Sequence, residues 1–505
     1  MYSPQFYWCY VILIILLTLV WFQWKRQRTS ALPLPPGPTA WHIVRNVFQL
    51  AKRPHESLSK FSQKYGPLMS FRLGIETVVV ASSPAMAKAI LKTHDHIFVG
   101  RTVIEAAKVF SHHKSSLAWG EYGPHWQYLR RITTVELFSP KRLDAQEHVR
   151  RSELFHTVRL IFESKGKAVN IEHMAFFNSM NVLGKMIFGT SLMDPYNPAS
   201  VGFKDTMAKT MKLFGTANSS DYHPLFRLVD PQSVSRQVAK HMKRLYDFID
   251  LFIQDRISTK NIMRPHNDSD KDFLDVLLDM RAEDFTLFDV RALIFELLMA
   301  GTDSTTTTIE WVMAELIRNP EKMKRVQQEL DGVVGLERKV EAYDINRLFY
   351  LDAVVKETFR LHPTVPLLLP HKARKDCEIE GYMIPKDAQV LVNLWAIGRD
   401  PATWKEPFEF MPERFLEGEN SEIDYKGHNF ELIPFGAGRR GCVGLPFALR
   451  MVHLVLACFL HSFEWTLPHE MTREQMDMSD EFELALKKAS ELIAIPKPRL
   501  PHYVY

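Results

Sequence analysis

Apolar and polar positions along the chain fall into two regimes. From Phe6 to Phe22 (FYWCYVILIILLTLVWF) no charge interrupts the run, and Thr18 is its one distinctly polar member. At ~1.5 Å rise per residue such a run nearly crosses a ~30 Å hydrocarbon layer, which predicts one membrane-spanning helix. Tyr7, Trp8 and Tyr10 at one end and Trp21 and Trp24 at the other set amphipathic rings where lipid meets water. Lys25, Arg26 and Arg28 follow, and this positive flank puts the rest of the chain in the cytosol. A cleaved signal peptide needs a basic start and a small-residue cleavage site, and both are missing. No later window reads as long and apolar enough to span, the best being Val452–Leu460. Ala31–Pro38 (ALPLPPGP) then reads as a semi-rigid spacer holding the body off the membrane, because closely spaced prolines fix backbone angles and withdraw amide donors.

Past the spacer the pattern becomes periodic. Two β-rich runs joined at Gly74 lie within Tyr65–Ala81, and Pro84–Lys92 follows with helical spacing. Helix-period stretches cover Pro124–Phe138, Ser233–Ser258, Thr286–Arg318, Glu321–Val334, Leu348–Leu361 and Leu445–Ser462. Polar loops fall at Asn261–Asp272 and Glu417–His428, and no internal repeat is visible. The predicted class is mainly α with minor β.

Composition narrows the function classes. The 505 residues are 46% hydrophobic and 24% charged, an ordinary globular mix that excludes a disordered or fibrous chain. Lys+Arg 63 against Asp+Glu 59 leaves +4, too small and too evenly spread for a nucleic-acid footprint. The cysteines Cys9, Cys377, Cys442 and Cys458 form no C-x-x-C pair, so zinc-ribbon and thioredoxin chemistry are out.

Two places carry chemistry. In FELIPFGAGRRGCVG, Gly436, Gly438 and Gly441 have dinucleotide-loop spacing, with Glu464 at a ribose-contact distance. Against that reading, Pro446 would sit in the receiving helix and too little chain follows for further alternating units. The rival reading centres on Cys442 at the amino end of a helix starting near Leu445, where backbone donors and the dipole lower a thiol's pKa. The second place is Ala300-Gly301-Thr302-Asp303-Ser304 and Thr305–Thr308 in the middle of the longest helix. A glycine and consecutive β-branched residues are poor helix formers, and such conflicts often mark function. Thr286 and Asp289 form a capping box at that helix's start, and Asn319-Pro320 ends it.

Phe435, Gly438, Arg440, Cys442 and Gly444 satisfy F-x-x-G-x-R-x-C-x-G, which resembles the haem-thiolate signature of the cytochrome P-450 family. Gly441 and Val443 depart from the usual plant form around the cysteine. Other segments resemble the family in order. The Ala300–Ser304 run resembles its oxygen-binding groove, with Asp303 as acid, Ser304 where threonine is usual and Thr305 as understudy. Glu357 and Arg360, with Arg414 of the FMPERF segment, resemble its buried E-x-x-R network. Trp126 and Arg130 resemble its propionate-holding W-x-x-x-R, and His371 falls where a second propionate donor stands.

The resemblance implies the P-450 fold, a helical haem-enclosing domain with a small sheet. It also implies residues 1–28 as anchor with basic flank, 29–41 as hinge and 42–505 as catalytic domain. The cofactor would be haem b, with Cys442 as axial thiolate and Trp126, Arg130, His371, Phe435 and Arg440 around it. The chain would be a plant microsomal A-type monooxygenase of the endoplasmic reticulum membrane, using O2 and electrons from NADPH-cytochrome P-450 reductase, with Arg439 as a candidate docking cation. The substrate would be a hydrophobic small molecule, terpenoid or alkaloid, lined by Ile104–Leu117, Phe295, Met299, Val365–Leu369 and Phe482–Leu486. A reductase-independent isomerase or dehydratase, and a non-catalytic haem-binding membrane protein, stand as alternatives, disfavoured by the Asp303-Ser304 pair.

Overall fold

The computed structural model describes residues 32–39, 52–259, 271–281, 283–468 and 471–505. The predicted spanning helix at Phe6–Phe22 and its basic flank lie outside them. Ten helices are used below: α1 (Pro54–Tyr65), α2 (Pro124–Ile132), α3 (Glu147–Glu163), α4 (Ile171–Phe188), α5 (Pro198–Gly215), α6 (Val234–Thr259), α7 (Leu287–Arg318), α8 (Pro320–Val333), α9 (Phe349–Leu361) and α10 (Leu445–Ser462).

The 32-residue α7 organises the rest. Its start follows the expected box on the acidic side: the Thr286 amide and hydroxyl donate to Asp289 Oδ2 at 2.7 and 2.8 Å. Asn319 caps its end, and Pro320 opens α8 at a position where its missing N–H costs nothing. Helices α4, α6, α9 and α10 pack around it, giving one continuous apolar core.

Most predicted helices stand within a residue or two of their expected ends. Pro124–Phe138 divides, with α2 ending at Ile132 and a widened turn at Thr133–Leu137. Helices α3, α4 and α5 were not predicted. α4 is buried on nearly every side, so it shows no polar face for periodicity to detect.

Two expectations are corrected. The Val452–Leu460 run extends into the whole of α10, long and apolar enough to cross a membrane by length and composition. It is nevertheless a core helix, 72% buried inside the domain. The proline segment, where described, is not a free spacer: Ser70 donates from Oγ to the Pro35 carbonyl (2.6 Å) and from N to that of Pro36 (2.9 Å), and the Met383 amide donates to Pro33 (2.8 Å). A Cβ on Gly37 would run into the Ser70 carbonyl, so glycine permits this docking.

The main sheet contains β1 (Leu68–Leu73), β2 (Glu76–Ala81), β3 (Gly100–Arg101), β4 (His371–Lys372) and β5 (Gln389–Val392), in the order β1-β2-β5-β4-β3. The first two are the runs predicted on either side of Gly74. The antiparallel register of β3 on β4 sets Arg101 opposite His371. A hairpin of β6 (Asp480–Phe482) and β7 (Leu486–Lys488) closes against α7.

Candidate active site

The Cys442 loop is shaped by two glycines with positive φ, Gly436 at 65° and Gly438 at 67°. A side chain at Gly438 would also strike the Leu91 carbonyl. The loop tightens into one turn at Gly438–Arg440, and the Cys442 amide donates to the Phe435 carbonyl at 2.9 Å. Pro446 sits in the first turn of α10, where proline is tolerated. Cys442 is an unpaired thiol opening on an internal cavity. Its environment departs from the simple helix-end expectation: burial pushes the thiol up, against the opposing pull of the Gly444 and Leu445 amides and of Arg130.

The cavity has a volume of about 340 Å³. Its apolar wall includes Leu117, Phe295, Met299, Val365, Leu368 and Leu369 from the predicted substrate segments, and Leu484 and Ala485 from the hairpin turn. Met211 and Phe214 of α5 also line it, unforeseen because that helix was not predicted.

Basic side chains share the cavity with Cys442, Arg101 and His371 buried and Arg130 and Arg440 half-buried. Arg101, Arg130, His371 and Arg440 all line the cavity. Burial, then the charge of Arg440, pushes Arg101 down to about 9. Burial and Arg130 bring Arg440 to about 10. Burial holds His371 well below its usual value, with Arg101 adding to the effect, and its Nδ1 lies 2.7 Å from the Phe98 carbonyl. Backbone carbonyls hold the two arginines in place: Arg101 donates to Ala118 (3.1 Å) and Leu369 (2.8 Å), Arg440 to Val99 (2.9 Å) and Gly120 (2.7 Å). Trp126 supports them from behind. Its Nε1 donates to the Leu117 carbonyl at 3.0 Å, and Arg440 and Arg130 lie 4.2 and 5.5 Å from its ring.

Among the described residues, none of these three arginines has a carboxylate within ion-pair distance. The adjacent Glu296 is already bound by Ser116 Oγ (2.7 Å) and the Leu117 and Ala118 amides (2.6 and 2.9 Å). Buried charge without a counter-charge is costly, so the cluster fits a ligand bringing its own carboxylates. The two propionates of haem would meet that requirement, Cys442 could supply a thiolate to its iron, and the residues present fit the group. Arg101 was missed by sequence reading, because only the β3–β4 register brings it to His371.

To the same cavity α7 contributes Ala300, Gly301, Asp303, Ser304, Thr305 and Thr308. Ser304 Oγ donates back to the Ala300 carbonyl at 2.8 Å, and Thr308 Oγ1 to that of Ser304 at 2.9 Å. Among the described residues, the hydroxyls of Thr302, Thr305 and Thr306 are buried without partners, as is Asp303 Oδ2. Gly301 has a packing reason as well: an added Cβ would stand 2.9 Å from Leu183 Cδ1 of α4.

The expected structural network is assembled. Arg360 grips Glu357 through two bonds of 2.7 Å and donates to the carbonyls of Gly398 (2.6 Å), Pro407 (2.7 Å) and Glu409 (2.9 Å). Arg414 Nε joins Glu357 at 3.2 Å. Phe435 packs edge-on to Phe359 with centroids 5.4 Å apart, tying the cysteine loop to α9. Arg439 is exposed and paired with Asp95.

Comparison with known proteins agrees with this geometry. The family model described as Cytochrome P450 matches residues 35–493. The chain is 43% identical to Cytochrome P450 76T24 of Catharanthus roseus over 92% of this chain and 93% of that one. It is 40% identical to (S)-N-methylcoclaurine 3'-hydroxylase isozyme 1 of Eschscholzia californica, covering 92% and 94% of the two chains. To Flavonoid 3'-monooxygenase of Petunia hybrida the identity is 39%, covering 98% of each. A zebra fish cytochrome P450 structure determined with progesterone superposes with a TM-score of 0.76 at 25% identity, covering 88% of this chain and 99% of that one. The chain belongs to the cytochrome P450 family, as a plant monooxygenase that carries haem on a cysteine thiolate.

Proposed function

We propose that this enzyme hydroxylates, or oxidatively couples, a hydrophobic aromatic or terpenoid metabolite of plant specialised metabolism. The observation that carries the reading is the cavity itself, lined together by Cys442, by Asp303, Ser304 and Thr305 and by many apolar side chains. Relatives named as a methylcoclaurine 3'-hydroxylase and a flavonoid 3'-monooxygenase support the substrate class.

Haem, when bound, supplies the oxygen-activating chemistry, favoured by an axial thiolate. The chain does the rest. Arg101, Arg130, His371 and Arg440 receive the carboxylates, and Phe435 holds the Cys442 loop against α9. The apolar wall excludes water and aligns the substrate. Asp303 passes protons through the Ser304 hydroxyl, with Thr305 as the second alcohol, to the cavity.

The reading includes residues 1–28 as a single-pass anchor in the endoplasmic reticulum, 29–41 as the connection whose described part is docked on the domain, and 42–505 as cytosolic catalytic domain. NADPH-cytochrome P-450 reductase delivers the electrons. Arg439 is a weaker docking candidate than its sequence position suggests, because Asp95 already engages it. Microsomes co-expressing the reductase test the whole reading against a panel of N-methylcoclaurine, a flavonoid and a terpene alcohol, under isotopically labelled dioxygen. A product carrying one labelled atom, or a coupled product, formed only with NADPH is expected; NADPH-independent conversion would overturn it.

A further inference from the structure

The β6–β7 hairpin brings two charged side chains to Asp303 that the proposed chemistry does not use. Lys487 Nζ lies 2.6 Å from Asp303 Oδ1 and 3.4 Å from Glu483 Oε2. The three side chains are 21%, 11% and 10% exposed, in the order Lys487, Asp303, Glu483. Burial works against the Lys487 ammonium, but Asp303 and Glu483, helped by Glu172 of α4, raise its pKa above the usual lysine value. The lysine therefore stays charged across the working pH range.

The pair has a direction. Asp303 lines the cavity from α7, while Leu484 and Ala485 line it from the hairpin that carries Lys487. One Asp303 oxygen is committed to Lys487, and the other, Oδ2, is buried with no partner among the described residues. A buried carboxylate without a counter-charge takes up a proton or turns toward water. A charge-assisted bond to one oxygen instead fixes the rotamer and leaves the other free.

We infer that Lys487 is a positioning residue, holding Asp303 so that Oδ2 stays available for proton delivery, and that the seating of the hairpin on α7 sets the efficiency with which reductant becomes product. Lys487 itself neither gains nor loses a proton. The inference rests on the proposed role of Asp303, and its test separates the two.

Full-length protein with reductase is compared as parent, Lys487→Met, Lys487→Arg and Asp303→Asn. Product per NADPH is measured with whichever panel compound turns over. The infrared stretch of carbon monoxide on the reduced protein reports the local field without any substrate. Lys487→Met is expected to cut product per NADPH by on the order of tenfold with KM held, and to shift and broaden the carbon monoxide stretch. Lys487→Arg restores both, and Lys487→Met adds nothing in an Asp303→Asn background. Parental product per NADPH in Asp303→Asn sinks the reading of Asp303. A normal Asp303→Asn defect alongside parental coupling and stretch in Lys487→Met overturns the role of Lys487 alone. Should Lys487→Met fail to fold, Lys487→Gln, which keeps a donor without the charge, takes its place on the same two measurements.

Discussion

The guanidinium of Arg440 lies over the indole of Trp126, 4.2 Å from its centroid. The contact joins the cysteine loop to α2 and holds a half-buried cation that has no ion-paired carboxylate among the described residues. Arg101 is buried beside it, and the charge of Arg440 adds to burial in lowering the Arg101 guanidinium. Removing one should therefore relieve repulsion in the apoprotein while weakening its hold on haem. Arg101→Gln is expected to speed haem transfer to an acceptor protein by roughly tenfold or more, the worth of a charge-assisted hydrogen bond. Its apoprotein should melt no lower than the parent.

The Glu357–Arg360 pair predicts the opposite behaviour, a loss of the fold itself. Breaking a buried ion pair costs about 3–5 kcal/mol, because the surviving charge is left uncompensated. Lysine cannot reproduce the two bonds to Glu357 together with those to Gly398, Pro407 and Glu409. Arg360→Lys should thus fail nearly as badly as Arg360→Met, measured as folded haem protein recovered per unit of chain.

Gly301 offers a test of packing against chemistry. Its missing Cβ leaves room for Leu183, so Gly301→Ala should cost about 1–3 kcal/mol through overpacking. Gly301→Ala combined with Leu183→Ala should recover much of that loss relative to Leu183→Ala alone. A thermal double-mutant cycle reads the coupling, and strict additivity would count against the contact.

Glu310 gives a pH dependence of known sign. Buried on α7, it accepts the Leu492 amide at 2.8 Å, and burial outweighs that bond to push its carboxyl up to about 7. In the unfolded chain the group ionises near 4.5. Its contribution to stability is full below that value and is lost as pH rises through 7. Glu310→Gln, which keeps the acceptor, should be more stable than the parent by about 3 kcal/mol near pH 8, with the gain gone near pH 4.5. Thermal melts across that range check it.

Much of this was legible in the chain, for identifiable reasons. The ends of α7 and α8 were readable because Thr286, Asp289, Asn319 and Pro320 act locally, and Cys442 because its glycines stand beside it in sequence. α4 escaped because it is buried on nearly every side. Arg101 and Lys487 escaped because β3–β4 register and hairpin docking, not neighbouring residues, bring them to His371 and Asp303. The proline segment misled for the same reason: its partners, Ser70 and Met383, are remote in sequence.

The central claim is that Cys442 carries the haem iron as a thiolate. The carbon monoxide difference spectrum of the reduced full-length protein tests it most directly, read beside Cys442→Ala. The account predicts the thiolate-type band in the parent and its loss in the variant. A parent without that band, or a variant that retains it, would contradict the assignment.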